Sequence, residues 1–148
     1  MSALKQLLIR ILHKGCKLYC TIFQPLTLGA VAAVIDEEGR VLLARHSYRK
    51  GLHLIGGGVK RGESMEETIC RELKEEVSLE CTPNDLELVG IFYNRLEGKH
   101  DHAAFFKVKN FRGTPKPDNV EIIEVNFYKE LPEETAETTR KLLELIQL

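Results

Sequence analysis

Glu72, Glu75 and Glu76 sit at relative positions 0, +3 and +4, with Glu63 a short way upstream. On an α-helix that spacing brings the three carboxylates to one face, where they repel each other. Such a cluster is unfavourable unless something positive sits among it. Carboxylate oxygens suit hard divalent cations, Mg2+ or Mn2+. A plainer reading stands beside this one. Arg71–Glu76, read RELKEE, is ordinary composition for a solvated helix surface, and charge patterning alone favours that reading.

The flanking residues shift the balance. Gly56, Gly57 and Gly58 read as a turn whose backbone can approach a ligand closely. Ser64 with Glu67 three residues on is a capping-box pattern, which starts a helix right after Glu63. The free N–H groups of a helix N-terminus suit an anion. Phosphate and metal-binding carboxylates are thereby placed on one element. Gly57 and Gly62 have the glycine spacing of a P-loop, but Glu63-Ser64 puts a carboxylate where the phosphate-gripping lysine belongs. That motif is rejected.

Positioning elements can be read around the cluster. Met65, Ile69, Leu73 and Val77 recur at steps of four and form the buried face of the helix, with Glu72, Glu75 and Glu76 largely off that stripe. Ala30–Ile35 reads as a buried strand, Asp36–Gly39 as a turn, and Val41–Ala44 as the returning strand of a hairpin. Leu86–Leu96, Ala103–Val108 and Glu121–Tyr128 suit further strands, and Gly113–Asn119 is a loop. Pro132 fits the first turn of a last helix carrying Leu142, Leu143, Leu145 and Ile146. The order predicts an α/β (α+β) domain with a mixed sheet packed by helices.

The 148 residues suit one domain with a sizeable core. A formal net charge of −1 offers no global attraction to nucleic acid or membrane. Cys16, Cys20, Cys70 and Cys81 match no paired zinc spacing, so reduced thiols in a cytoplasmic protein are expected. The first 35 residues contain no Asp or Glu, and Leu4, Leu7, Leu8, Ile11 and Leu12 fall at helical spacing beside Lys5, Arg10 and Lys14. An organelle presequence or a membrane-surface helix fits that pattern. The favoured reading of residues 1–27 is an amphipathic segment packed on the main domain, residues 28–148, or at a homodimer interface.

Gly57, Glu63, Arg71, Glu72, Leu73, Glu75, Glu76 and Leu79 carry a resemblance to the Nudix hydrolases. That family's MutT-like box is Gly, five residues, Glu, seven residues, then Arg-Glu-aliphatic-x-Glu-Glu-x-Gly-aliphatic. Eight of its nine fixed positions match here, and Ser78 stands where the box has glycine. The departure touches the helix terminus and no proposed ligand.

The resemblance implies a mixed β-sheet sandwiched between helices, and a metal-dependent pyrophosphohydrolase. Its substrate would be a nucleoside diphosphate linked to another group: a nucleoside triphosphate, nucleotide sugar or dinucleotide. Glu72, Glu75 and Glu76 would bind Mg2+ or Mn2+, with the Gly56 carbonyl as a further ligand. Glu75 or Glu76, or a carboxylate from a later loop, would accept the proton. Arg71 would hold the carboxylates by ion pairing, and Glu63 would stabilise the loop–helix junction or assist at the metal. Glu121 and Glu124 are the candidates for an additional acidic ligand.

Subfamily hints are mostly negative. Arg95 stands where ADP-ribose members carry proline, and Tyr93 falls slightly before the tyrosine of diadenosine polyphosphate members. Phe92, Tyr93, Phe105, Phe106, Phe127 and Tyr128 are core or base-stacking residues, and His100-Asp101-His102 is a solvated turn or a contact to substrate phosphate or metal. A non-catalytic nucleotide-binding module is the alternative to the enzyme, and nothing outside the box supports the family's isoprenoid diphosphate isomerase branch.

Overall fold

The computed structural model describes residues 2–96 and 99–148, without the side chains of residues 2, 3, 95, 96 and 99. Arg95, singled out above, therefore has no described side chain. In chain order the elements are α1 (Ser2–Phe23), β1 (Leu26–Val34), β2 (Val41–His46), β3 (Leu52–His53), β4 (Ile55–Gly58), α2 (Met65–Val77), β5 (Leu86–Leu96), β6 (Lys99–Val108), β7 (Ile122–Tyr128) and α3 (Glu137–Glu144). A short 3-10 turn, Pro83–Asp85, precedes β5. Among the described residues no helix is long and apolar enough to cross a membrane.

Two sheets form. The first has the order β4-β1-β6-β5 and the second β3-β2-β7. In the first, β1 runs parallel to β6 and antiparallel to β4. Strand alternation then builds two cores from the same strands. Ala30, Ala32, Val34, Leu42, Ala44, Ala104, Phe106 and Val108 pack with Ile69, Leu73 and Val77 of α2. Ala33, Val41, Leu43 and Phe105, from the intervening positions, pack with Leu143 of α3. The chain is thus the mixed α/β sandwich that the element order implies, with α2 and α3 on opposite faces.

Four local expectations need correction. First, β1 and β2 do not form a hairpin. Both edges of β1 are taken by β4 and β6, and only an isolated Ile35–Val41 bridge joins it to the start of β2, which pairs with β3 and β7. Second, the glycine run is strand rather than turn. Gly56, Gly57 and Gly58 lie in β4 opposite Val31, Ala30 and Gly29. The reason is clearance: a Cβ on Gly56 would collide with the Ala30 carbonyl. The turn falls later, at Gly62, where φ is +84°. Third, α3 begins at Glu137, and Pro132 instead closes a turn in which its carbonyl accepts the Thr135 N–H at 3.0 Å. Fourth, His100, Asp101 and His102 lie within β6, so they alternate in facing and form no solvated turn.

α1 runs well past the predicted apolar stripe, to Phe23. One side touches the domain through polar groups. Gln6 Nε2 donates to the Asn119 carbonyl at 3.1 Å, and Arg10 Nε to the Ser47 carbonyl at 2.9 Å. The His13 ring lies 4.7 Å from that of Tyr48, and Cys20 is buried. Leu4, Leu8, Ile11, Leu12, Leu18 and Ile22 are exposed.

Candidate functional site

Local sequence fixes both ends of α2. At its start, Ser64 Oγ accepts the Glu67 N–H at 3.1 Å, and the Glu67 carboxylate accepts the Ser64 N–H at 2.8 Å. At its end, Ser78 takes the left-handed conformation, φ 60° and ψ 28°, that glycine favours. The helix stops there as a glycine-capped one would, with the Leu79 N–H donating to the Leu73 carbonyl at 3.0 Å. The open carbonyls of the last turn are met by the following loop: Lys116 N–H donates to Val77 O at 2.9 Å, and Asp118 N–H to Glu76 O at 3.0 Å.

Between these ends, Arg71 organises one group of carboxylates. Its Nε donates to Glu63 Oε1 at 2.6 Å and its Nη2 to Glu63 Oε2 at 3.0 Å. Nη1 reaches Glu72 Oε1 at 2.6 Å and, more loosely, Glu75 Oε2 at 3.3 Å. Nη2 also donates to the Gly58 carbonyl at 3.2 Å, which ties α2 to β4. Glu63 is held further by Thr68 Oγ1, at 3.1 Å, and by the Lys60 N–H, also at 3.1 Å. Arg71 foremost, with these donors, lowers the Glu63 carboxyl to a pKa of about 2. The guanidinium is pushed up in turn.

Glu72 lies against the strand below it. A Cβ on Gly57 would fall on the Glu72 carboxylate, so the glycine makes room for that side chain. Gly56 is paired with Val31 in the same ladder.

Glu76 stands apart from the Arg71 group. The periodicity placed it off the buried stripe, yet it is only 6% exposed, because the 116–118 loop covers the last turn of α2. Among the described residues its Oε2 is buried without a hydrogen-bond partner. Burial, with Glu72, Glu121 and Asp118 nearby, raises its carboxyl to a pKa of about 8, opposed by Arg49. Burial, with Glu72 and Asp118, also raises Glu121. Glu75, by contrast, has a side chain 57% exposed.

The two late candidates separate. Glu121 is half-buried beside the Glu76 group, with Tyr48 Oη 3.5 Å from its Oε2. Glu124 is held by Arg45 at 2.9 Å and by Asn126 and Tyr128, and does not join the acidic group. Sequence reasoning missed Asp118, Tyr48 and Arg49. Asp118 accepts the N–H groups of Val120, Glu121 and Ile122, which shapes the approach to β7. Its position after Pro117 was a turn signal that could have drawn attention to it.

Among the aromatic candidates, Phe105 and Phe106 are core, Phe92, Phe127 and Tyr128 pack partly against it, and Tyr93 is exposed. Tyr93 Oη lies 2.8 Å from His100 Nδ1, and Thr27 Oγ1 donates to Asp101 Oδ1 at 2.5 Å.

Among the described residues, no three His, Cys, Asp or Glu side chains already close around a common point. The donor chemistry nevertheless fits a hard cation. Glu72, Glu121 and Asp118 are oxygen donors close enough to Glu76 to raise its carboxyl, and the unpartnered Glu76 Oε2 leaves a buried oxygen that a cation could meet.

Comparison with known proteins bears on the fold and the family. A CTP pyrophosphohydrolase of Escherichia coli (strain K12) is 35% identical over 88 residues, 57% of this chain and 64% of that protein. An RNA pyrophosphohydrolase of Marinomonas sp. (strain MWYL1) is 39% identical over 57 residues, 38% of this chain and 34% of that protein. The matches thus span only 64% and 34% of these curated relatives' own lengths. The crystal structure of a MutT NUDIX hydrolase from Burkholderia pseudomallei has the same fold, with a TM-score of 0.73 at 24% identity, over 82% of this chain and 98% of that one. The model of the NUDIX domain matches residues 25–146, which include every carboxylate described above, and the chain belongs to that family.

Proposed function

We propose that the chain is a metal-dependent pyrophosphohydrolase that cleaves a diphosphate linkage in a nucleoside diphosphate derivative. The orphaned, buried Glu76 carboxylate, crowded by Glu72, Glu121 and Asp118, carries this reading. Glu72, Glu75 and Glu76, with the Gly56 carbonyl and Glu121, would hold Mg2+ or Mn2+. Such an ion screens phosphate charge and lowers the pKa of bound water.

The chain's own residues account for the rest. Arg71 and Glu63 fix α2 against β4, so that the carboxylates keep their spacing. Glu75, whose side chain is largely exposed, would accept a proton from attacking water on a carboxylate oxygen. Water attacks one phosphorus, and the bond from that phosphorus to the bridging oxygen breaks. The products are a nucleoside monophosphate and the phosphorylated second group. Glu124, committed to Arg45, is assigned no part.

A panel of nucleoside triphosphates, nucleotide sugars and dinucleotides, incubated with Mg2+ or Mn2+, tests the reading. Hydrolysis of at least one member is expected, with Glu76→Gln lowering kcat by about 100-fold or more, in line with a lost electrostatic contribution to the transition state. Nucleotide binding by calorimetry with no turnover, in folded protein, would make the chain a binding module instead. Full activity in Glu76→Gln would overturn the assigned site.

A further inference from the structure

A second cavity lies between α1 and the loop joining β2 to β3. Its volume is about 900 Å3. Arg10, Lys14 and Lys17 of α1 line one side, and Arg49 and Lys50 the other, with no Asp or Glu among the lining residues. Leu7 and Ile11 supply an apolar wall. The nearly neutral chain therefore carries a concentrated positive cleft, which net charge conceals.

The cleft is held in shape from both sides. Arg10 Nε donates to the Ser47 carbonyl, and the His13 ring packs on Tyr48. Tyr48 in turn carries the Arg49 guanidinium over its ring at 5.5 Å and directs its hydroxyl toward Glu121.

The cleft adjoins the acidic site at Tyr48, which lines it and whose hydroxyl lies 3.5 Å from Glu121 Oε2, and Arg49 lines the cleft beside it. Arg49, His53 and Thr138 line as well a cavity of about 620 Å3 that runs along Gly56, Gly57 and Gly58. A ligand whose reacting diphosphate lay beside Glu121 would meet the basic cleft at Tyr48.

We propose that this cleft binds a chain of phosphates, and that the preferred substrates are small molecules with two or more phosphate groups beyond the scissile linkage. Lysines supply mobile point charges suited to a flexible phosphate chain, and Arg49 supplies a planar fork at the junction. A neutral sugar leaving group would leave the cleft's charges unmatched. The preference among substrates rests on the hydrolase reading, whereas the anion site itself does not.

Two measurements separate them. Calorimetry with inorganic tripolyphosphate in EDTA reads the cleft without any divalent cation. Wild type is expected to bind, more weakly as salt rises, and Lys14→Gln/Lys17→Gln/Lys50→Gln to bind at least tenfold more weakly with an unchanged Tm. Hydrolysis of a dinucleoside tetraphosphate against a nucleotide sugar reads the preference, and the triple variant should shrink the kcat/KM ratio between them at least tenfold. Tripolyphosphate binding without hydrolysis of any substrate would uphold the cleft and defeat the hydrolase reading. Equal tripolyphosphate binding by both proteins, or an unchanged substrate ratio, would overturn the proposal while leaving that reading intact. A 5′-triphosphorylated oligoribonucleotide whose affinity grows with each nucleotide, beside no binding of free tripolyphosphate, would assign the cleft to nucleic acid and overturn it as well.

Discussion

Arg71 grips Glu63 with two parallel hydrogen bonds, Nε to Oε1 at 2.6 Å and Nη2 to Oε2 at 3.0 Å, across eight positions of the chain. The planar fork is what an ammonium cannot copy. Arg71→Lys should therefore keep the charge and lose the geometry. A fall in kcat of about 10- to 100-fold is expected, matching the ~1.5–3 kcal/mol of one hydrogen bond to a charged group. Steady-state kinetics beside far-UV circular dichroism checks this; unchanged kcat would mean the fork has no positioning role.

Gly57 and Gly58 offer a matched pair. A Cβ at Gly57 meets the Glu72 carboxylate, whereas one at Gly58 meets nothing within 4 Å. Gly57→Ala is expected to displace Glu72 and lower activity at least tenfold in a folded protein, and Gly58→Ala to stay near wild type. Equal effects from the two substitutions would show that clearance over Glu72 is not what Gly57 provides.

Ser78 carries a side chain in a left-handed cap, at φ 60°. That conformation costs a non-glycine residue about 1 kcal/mol. Ser78→Gly should recover most of it and raise Tm by roughly 2–4 °C, as ~1 kcal/mol does in a domain of about 150 residues. Calorimetry would read the shift. A lower Tm would mean that the serine makes the cap more stable than a glycine would.

His46 is buried, and burial with Arg49 and His53 nearby pushes its pKa down to about 3; burial also lowers His53. The unfolded chain takes up these protons near the ordinary value of 6.5, and the native state does not. The His46 contribution to stability should therefore be full above pH 6.5 and decline as pH falls from there toward 3, at ~1.4 kcal/mol per pH unit, while Glu76, raised to about 8, contributes in the opposite sense between pH 8 and 4.5. Denaturant melts of wild type and His46→Gln between pH 7 and 5 isolate the histidine. His46→Gln should lose less stability than wild type as pH falls, and equal slopes would place the effect elsewhere.

Much of α2 was legible because its signals are local. The Ser64–Glu67 capping box, the apolar steps of four and Ser78 in the glycine position lie within the helix and its caps. Strand β4 was not legible, because its glycines answer to Ala30 across the ladder and Glu72 above it, neither of which is near in sequence. Glu76 was placed off the buried stripe, since the loop that covers it arrives some forty residues later. Glu121 and Glu124 look alike in sequence, and they are separated by partners such as Arg45, far upstream, that hold Glu124 away from the acidic group. Tyr48 and Arg49 sit in a polar loop whose role depends on where α1 lies.

The alternation along β1 has an evolutionary consequence. Ala30, Ala32 and Val34 serve the α2 core, while Ala33 serves the α3 core. A substitution there changes one layer at a time. A single-residue insertion would turn every later side chain to the opposite face and exchange the two cores. It would also shift Gly29 and Ala30 out of register with Gly58 and Gly57, beneath Glu72. Lineages of this chain should therefore vary in length at the Asp36–Arg40 turn and the loops, and hold the length of β1 fixed even where its residues drift.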